Sequence, residues 1–152
     1  MKPFSLTRFT SPGMMALAKK TDHRVLGRWA RDCSKRVLKY TKDSRPGKAL
    51  HELEKWIKTG EFQMAVIRKA SLDSHAAAKE CEGSCRSACH AAGQAVATAH
   101  APMHAVGAAI YALQAVAIAT NSEKAVEKER EWQYDRLVKL RKGVRYKGLW
   151  RG

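Results

Sequence analysis

The middle of this sequence lacks charged side chains. No Asp, Glu, Lys or Arg occurs between Arg86 and Glu123, and 17 of the residues from 75 to 120 are alanine. A globular protein buries so long an uncharged run, and alanine combines the highest helix propensity with a side chain small enough for close helix packing. We therefore predict a buried, alanine-rich pair of central helices over 84–100 and 102–120.

Strand and secretion signals are also missing. No segment shows the alternating pattern of a strand, and Met1 to Lys20 has no apolar segment of the roughly 7–15 residues that a secretory signal requires. We expect a cytoplasmic protein with reduced thiols and no disulfide framework. The run 102–120 is rich in alanine rather than leucine and includes His104 and Gln114, which favours a buried helix over a membrane span.

The length of 152 residues suits one domain with its own core. The predicted fold class is all-α, a single-domain helical bundle of about six helices around the alanine-rich pair. Its four other helices are predicted over 22–41, 48–58, 61–80 and 123–141. We divide the chain into a basic, loosely ordered N-terminal arm over 1–20, a helical domain over 21–142, and a basic aromatic tail over 143–152.

Acidic residues are few, which leaves the chain strongly basic. It has 29 Lys and Arg against 14 Asp and Glu, a formal net charge of +15. Residues 1–58 carry 15 basic and 5 acidic side chains (+10), residues 59–121 carry four of each, and residues 122–152 carry 10 and 5 (+5). Such a field attracts nucleic acid, an anionic membrane or an acidic protein.

One predicted helix, 22–41, concentrates this charge. Its apolar residues form a single stripe at helical spacing, and the opposite face holds six cations. Two interpretations remain open: an ordinary solvated exterior, or a surface that binds a protein partner or nucleic acid. The tail, with Tyr146 and Trp150 among basic residues, either binds nucleic acid by stacking or docks on the core. The six cations of the helix are Arg24, Arg28, Arg31, Lys35, Lys39 and Lys42.

Three histidines are expected near one end of the central pair. His100 and His104 flank Pro102, and His75 joins them if its helix packs beside this break. They could act as metal ligands, as a proton-handling site, or as buried polar groups that satisfy the exposed helix ends, and we favour the last. No acidic residue of the central pair could orient a histidine, so a hydrolase triad has no support. We predict no catalytic residues and no cofactor.

Three cysteines recur every four residues. Cys81, Cys85 and Cys89 would share one face of a continuous helix and could bind zinc or copper. A turn at Gly83 would separate Cys81 from the other two, and the spacing lacks the Cys-x-x-Cys loops of structural zinc sites. Cysteine among alanines is more often a small buried apolar residue, so we predict no metal and keep the three cysteines as weak candidates.

Five motifs are considered together: Trp29-Ala30-x-Asp32-Cys33, His75-Ala76-Ala77-Ala78-Lys79, Ala91-Ala92-Gly93-Gln94-Ala95-Val96-Ala97-Thr98-Ala99-His100, His104-Ala105-x-Gly107-Ala108-x-x-Tyr111-Ala112 and Glu131-Trp132-Gln133. They resemble those of a family of small all-helical bacterial proteins, the putative immunity proteins of the immunity-5-like group. The resemblance covers roughly residues 25–140 and implies a protein that binds and neutralises a toxin, without catalytic residues. Where another histidine would be expected, the sequence has Gln94, which we include in a polar corner with His75, His100 and His104.

The sequence therefore predicts a non-catalytic binding protein that occludes the surface of a partner toxin. Nuclease inhibitors are usually acidic because they compete with nucleic acid for a basic cleft, so a chain at +15 should instead meet an acidic surface. The alternative is a nucleic-acid-binding protein that uses helix 22–41 and the C-terminal tail. No membrane partner is expected, and the alanine-rich face also allows self-association.

Overall fold

The computed structural model describes residues 11–147, with side chains described for residues 11–143. Trp150 of the predicted tail lies outside the described residues, as does the part of the predicted arm before Ser11. The described part consists of seven α-helices and one short 3-10 helix, without a strand, which confirms the all-α bundle. The helices are α1 (Pro12–Lys19), α2 (His23–Lys35), the 3-10 helix (Leu38–Tyr40), α3 (Ser44–Thr59), α4 (Met64–Lys79), α5 (Gly83–Ala97), α6 (His104–Thr120) and α7 (Glu123–Lys147).

Helix α1 is one helix more than the sequence predicted. The prediction of a loosely ordered arm is wrong for Pro12–Lys19, because the Ser11 side chain accepts a hydrogen bond from the Met14 N–H and Pro12 occupies the first turn. Met14 and Ala18 on this helix are buried in the core. The helix is therefore part of the bundle.

The predicted central pair is confirmed as α5 and α6, which make the most extensive helix–helix contact of the described part. Nine of their alanines have no exposed surface, so the two backbones approach closely. Larger side chains from the surrounding helices fill the space around the pair, among them Trp29 and Leu26 of α2, Leu53 of α3 and Leu137 of α7. The buried alanines are Ala88, Ala91, Ala92, Ala95, Ala105, Ala108, Ala109, Ala112 and Ala115.

A chain of hydrogen bonds links three helices through this core. The indole Nε1 of Trp29 on α2 donates to the Gln133 carbonyl on α7 at 2.8 Å. The buried side chain of Gln133 donates from Nε2 to the Ala109 carbonyl on α6 at 3.0 Å. The first bond joins residues 104 positions apart and the second joins α7 to α6, so together they orient α7 against α2 and the central pair.

A histidine forms a hydrogen bond to a free carbonyl group at the break between α5 and α6, but it is not one of the three histidines predicted for this role. Helix α5 ends at Ala97 and α6 begins at His104, with Pro102 in the turn between them. His23 at the start of α2 bonds through Nε2 to the Thr98 carbonyl at 2.6 Å. This bond satisfies a carbonyl at the end of α5 that has no partner within the helix.

Two further helix boundaries follow from local sequence. Gly60 ends α3 in the left-handed conformation, with φ of 73°, as its position after the last apolar residue predicts. Helix α2 ends at Lys35 rather than near residue 41, and the chain continues through the 3-10 helix.

Among the described helices, none is both long enough and apolar enough to cross a membrane.

Candidate functional site

Polar side chains from α4, α5, α6 and the turn between α5 and α6 meet at one side of the central pair. The Nδ1 atoms of His75 and His90 lie 2.7 Å apart. Nδ1 of His104 lies 2.7 Å from Oε1 of Gln94, and the rings of His100 and His104 are 5.3 Å apart. The site thus contains the four residues predicted from the sequence, with His90 as a fifth member. We call these five residues, His75, His90, Gln94, His100 and His104, the polar corner.

Two glycines make room for the polar corner. A Cβ atom at Gly93 on α5 would lie 2.6 Å from Nε2 of His75, and one at Gly107 on α6 would lie 2.9 Å from Oε1 of Gln94. Any larger residue at either position would displace the corner's side chains. The glycines therefore let the imidazole and the amide pack directly against helix backbones.

His90 is the member that the sequence reasoning missed. It precedes Gln94 by four residues on α5, so the two side chains lie on the same helix face. The ring of His90 also lies 5.0 Å from that of Tyr111 on α6. Helical spacing from Gln94 was the signal that could have identified it.

Burial favours the neutral form of His75, His90 and His104. Desolvation, then the nearby His75 and Arg86, lowers the pKa of His90 from 6.5 to about 4. Desolvation is also the main cause that lowers the pKa of His75 and that of His104. In the His75–His90 contact one neutral ring donates and the other accepts, so the bond links α4 to α5 and supports the structural interpretation.

The cationic stripe predicted on helix 22–41 is not a continuous anion-free face. Because α2 ends at Lys35, Lys39 and Lys42 lie beyond the helix. Arg31 bonds to Oδ1 of Asp32 at 2.9 and 3.0 Å. Lys35 lies 3.1 Å from a carboxylate oxygen of Glu54 on α3.

The cations in the first half of the stripe are partly buried in the bundle or contact other parts of it. Arg136 of α7 reaches Oδ2 of Asp32 at 2.8 Å, so this carboxylate links α2 to α7. The Arg24 guanidinium occupies the space in which a Cβ of Gly60 would lie. Arg28 is half-buried, and desolvation, followed by the charge of Arg31, lowers its pKa. Only the second half of the stripe, from Lys35 to Lys42, is well exposed.

A groove with apolar side chains lies between α3 and α4. One part has a volume of about 550 Å³, and an adjoining part toward the α3–α4 turn has a volume of about 360 Å³. Val66 lines both parts. Four of the seven large apolar side chains that the described residues leave exposed belong to this hairpin. They are Phe62, Met64, Val66 and Leu72, and we call them, with the groove, the hairpin surface.

The cysteines are closer together than the sequence predicted. Cys81 and Cys85 form a disulfide with a Cα–Cα distance of 6.0 Å, so the prediction of four reduced thiols is wrong for this pair. The turn at Gly83 brings Cys81 back over the start of α5 instead of separating it from the others. The three Sγ atoms of Cys81, Cys85 and Cys89 lie within 4.8 Å of one another.

Comparison with known proteins gives one match. The family model described as "Imm-5 like putative immunity protein" matches residues 16–140, which span α2 to α6 completely, the second half of α1 and most of α7. No curated protein matches the chain, and no solved structure does.

Proposed function

Since the chain belongs to the Imm-5 like putative immunity protein family, we propose that it binds a toxin and neutralises it by covering a surface that the toxin needs. The observation that carries this proposal is the family match over nearly the whole described bundle. Occlusion is stoichiometric and depends on a complementary surface rather than on catalytic residues. The proposal therefore assigns binding, and not catalysis, to this protein.

The charge of the chain specifies the partner's surface. A protein at +15 is repelled by a basic cleft and attracted by an acidic surface over a distance of about a Debye length, near 8 Å in physiological salt. The exposed lysines from Lys35 to Lys42 are placed to act on the approach of such a partner. Electrostatic steering changes the association rate more than the lifetime of a complex.

The hairpin surface has the composition of the centre of a protein interface. Stable interfaces combine a desolvated apolar centre with a polar rim. Phe62 is 43% exposed and Val66 is 38% exposed, and the charged lining of the groove includes Lys48, Lys55 and Lys69 together with Glu52, Glu61 and Asp73. We therefore place the docked toxin on α3 and α4, with its acidic groups opposite these cations.

The first experiment isolates the partner. The tagged protein is used to capture partners from a lysate of its native host, with one half of the sample treated with nuclease. We expect one protein in a one-to-one ratio from both halves, and the purified partner should lose its toxicity at one equivalent of this chain. Capture that disappears with nuclease would instead support the nucleic-acid alternative, whose affinity falls steeply with salt.

A matched pair of variants locates the interface. Val66→Asp places a carboxylate on the hairpin surface, and Ile118→Asp makes the same change at a 47% exposed position near the end of α6. We expect Val66→Asp to weaken the complex by roughly 10-fold or more, as at an interface hot spot, while Ile118→Asp binds like the wild type. Equal affinities for both variants would remove the hairpin surface from the proposal and leave the exposed lysines as the site to test.

A further inference from the structure

The three-cysteine cluster is an independent feature that the immunity function does not use. Cys81 follows α4, Cys85 lies in the first turn of α5, and Cys89 lies one turn further on. The left-handed Gly83, with φ of 62°, starts α5 so that Cys81 lies beside the first turn. The positions of all three thiols are thus determined by one helix and the turn that precedes it.

The outer side of the cluster lies at the N-terminus of α5 and beside a cation, whereas desolvation raises the pKa of the buried Cys89 thiol. Glu82, the N-cap of α5, makes no side-chain capping bond, so no side chain at the cap competes for the first N–H groups of the helix. Thiolates are stabilised at helix N-termini and beside cations. The Nε of Arg86 donates to the carbonyls of Ala78 and Cys81 at 3.2 Å each, which holds its guanidinium beside the cluster.

The inner side of the cluster is apolar and close-packed. Cys89 is completely buried and packs with Ala77 and Ala78, against which Cys81 and Cys85 also lie. The Sγ of Cys89 lies 3.6 Å from the Thr41 hydroxyl. A dry site with thiolate ligands is suited to a soft metal ion, because hard ions prefer oxygen ligands.

We propose that Cys81, Cys85 and Cys89, when reduced, together bind one Cu(I) ion through three sulfur atoms. With a metal–sulfur distance of about 2.3 Å, as in zinc–thiolate sites, trigonal coordination places the sulfur atoms about 4 Å apart. The three Sγ atoms already lie within 4.8 Å of one another, so rotation of the side chains suffices to reach this geometry. Three thiolates with no fourth His, Cys or carboxylate ligand among the described residues match the low coordination number of Cu(I), whereas Zn(II) would take a water or another ligand as its fourth.

The disulfide form is the state that cannot bind this ion. A dithiol reductant gives two electrons and two protons to the Cys81–Cys85 bond, becomes a disulfide itself, and leaves two free thiols. Binding of Cu(I) then displaces the protons of the three thiols. The metal site therefore exists only in the reduced protein, and oxidation of the pair removes two of its three ligands.

The test uses the full chain, reduced with a dithiol and desalted without oxygen. Cu(I) is titrated in competition with a coloured Cu(I) chelator, and bound metal and free thiols are counted. We expect one Cu(I) per chain, and no binding at this site after oxidation of Cys81 and Cys85. Cys85→Ser should lower the affinity by more than the roughly 10- to 100-fold that loss of an outer-shell partner costs.

Cys33→Ala is the matched control, because Cys33 is buried in the main core and outside the cluster. It should bind Cu(I) like the wild type, and Cys89→Ala provides a second ligand variant if Cys85→Ser is unstable. Equal affinity of Cys85→Ser and the wild type would overturn the site. Tight binding of Zn(II) in preference to Cu(I) would overturn the assignment of the metal.

Discussion

Gly93→Ala tests whether the polar corner is packed as the structure shows. An alanine at this position would place its Cβ 2.6, 2.7 and 2.9 Å from three atoms of the His75 ring. The ring is held in place by its contact with His90, so it cannot move aside without losing a hydrogen bond. The substitution therefore stabilises the protein through the higher helix propensity of alanine and destabilises it through the steric clash with the His75 ring.

The two effects have different magnitudes. Replacing glycine by alanine inside a helix gains about 1 kcal/mol. Overpacking a dense site costs about 1–3 kcal/mol, and loss of the His75–His90 hydrogen bond adds about 1 kcal/mol. We therefore expect Gly93→Ala to lower the free energy of unfolding by about 1–3 kcal/mol, with a fall in Tm of about 2–4 °C for each kcal/mol.

Urea unfolding, followed by circular dichroism, measures this difference. Gly47→Ala on α3 is the matched control, since a Cβ there meets no atom within 4 Å, and it should raise the free energy of unfolding by about 0.5–1 kcal/mol. In a His75→Ala background, Gly93→Ala should also be stabilising, because the opposing ring is gone. The reasoning is refuted if Gly93→Ala alone is as stable as the wild type.

Two further predictions concern charge. The pKa of His90 is lowered from 6.5 to about 4. Between these two pH values the unfolded chain binds a proton at His90 that the folded chain does not. The free energy of unfolding therefore rises with pH across this window and falls as the pH is lowered through it. The ring is half-buried, so solvent screens part of this effect, and we expect the free energy of unfolding to fall by about 1–2 kcal/mol between pH 7 and pH 4. The urea midpoints of the wild type and of His90→Gln should differ less at pH 4 than at pH 7. Arg36 holds the buried Glu129 through two bonds of 2.6 and 3.0 Å, so Arg36→Ala should cost about 1.5–3 kcal/mol in urea unfolding. Adding Glu129→Gln should recover part of this loss, and no recovery would contradict the buried-charge explanation.

The central part of the fold was predictable because its signals are local. An uncharged alanine-rich run can only be buried, and Pro102 and Gly60 mark helix boundaries through their own backbone preferences. Helix α1 was missed, although Ser11 and Pro12 form a helix start, because the scattered polar residues before it show no period. The end of α2 was missed because Val37 continues the apolar spacing and is buried even though the helix has ended.

The charged surface was less predictable because its partners lie far away in the sequence. Asp32 pairs with both Arg31 and Arg136, and Arg136 is more than 100 residues distant in the sequence. Lys35 likewise pairs with Glu54 of another helix. Periodicity assigns a residue to a face of its own helix, and it contains no information on which neighbouring helix covers that face.

The arrangement separates the residues that determine the fold from those proposed to meet a partner. The central helices α5 and α6 have no charged residue after Arg86, and His90, Gln94 and His104 form hydrogen bonds within the polar corner. The exposed apolar residues of α4 and of the turn before it contribute little to the core, so a change there should alter binding without unfolding the bundle. For that reason Val66→Asp is a more specific test of the proposed immunity function than a charge reversal at Arg31. The ion pair of Arg31 with Asp32 belongs to a network that joins α2 to α7, so its loss would also affect stability.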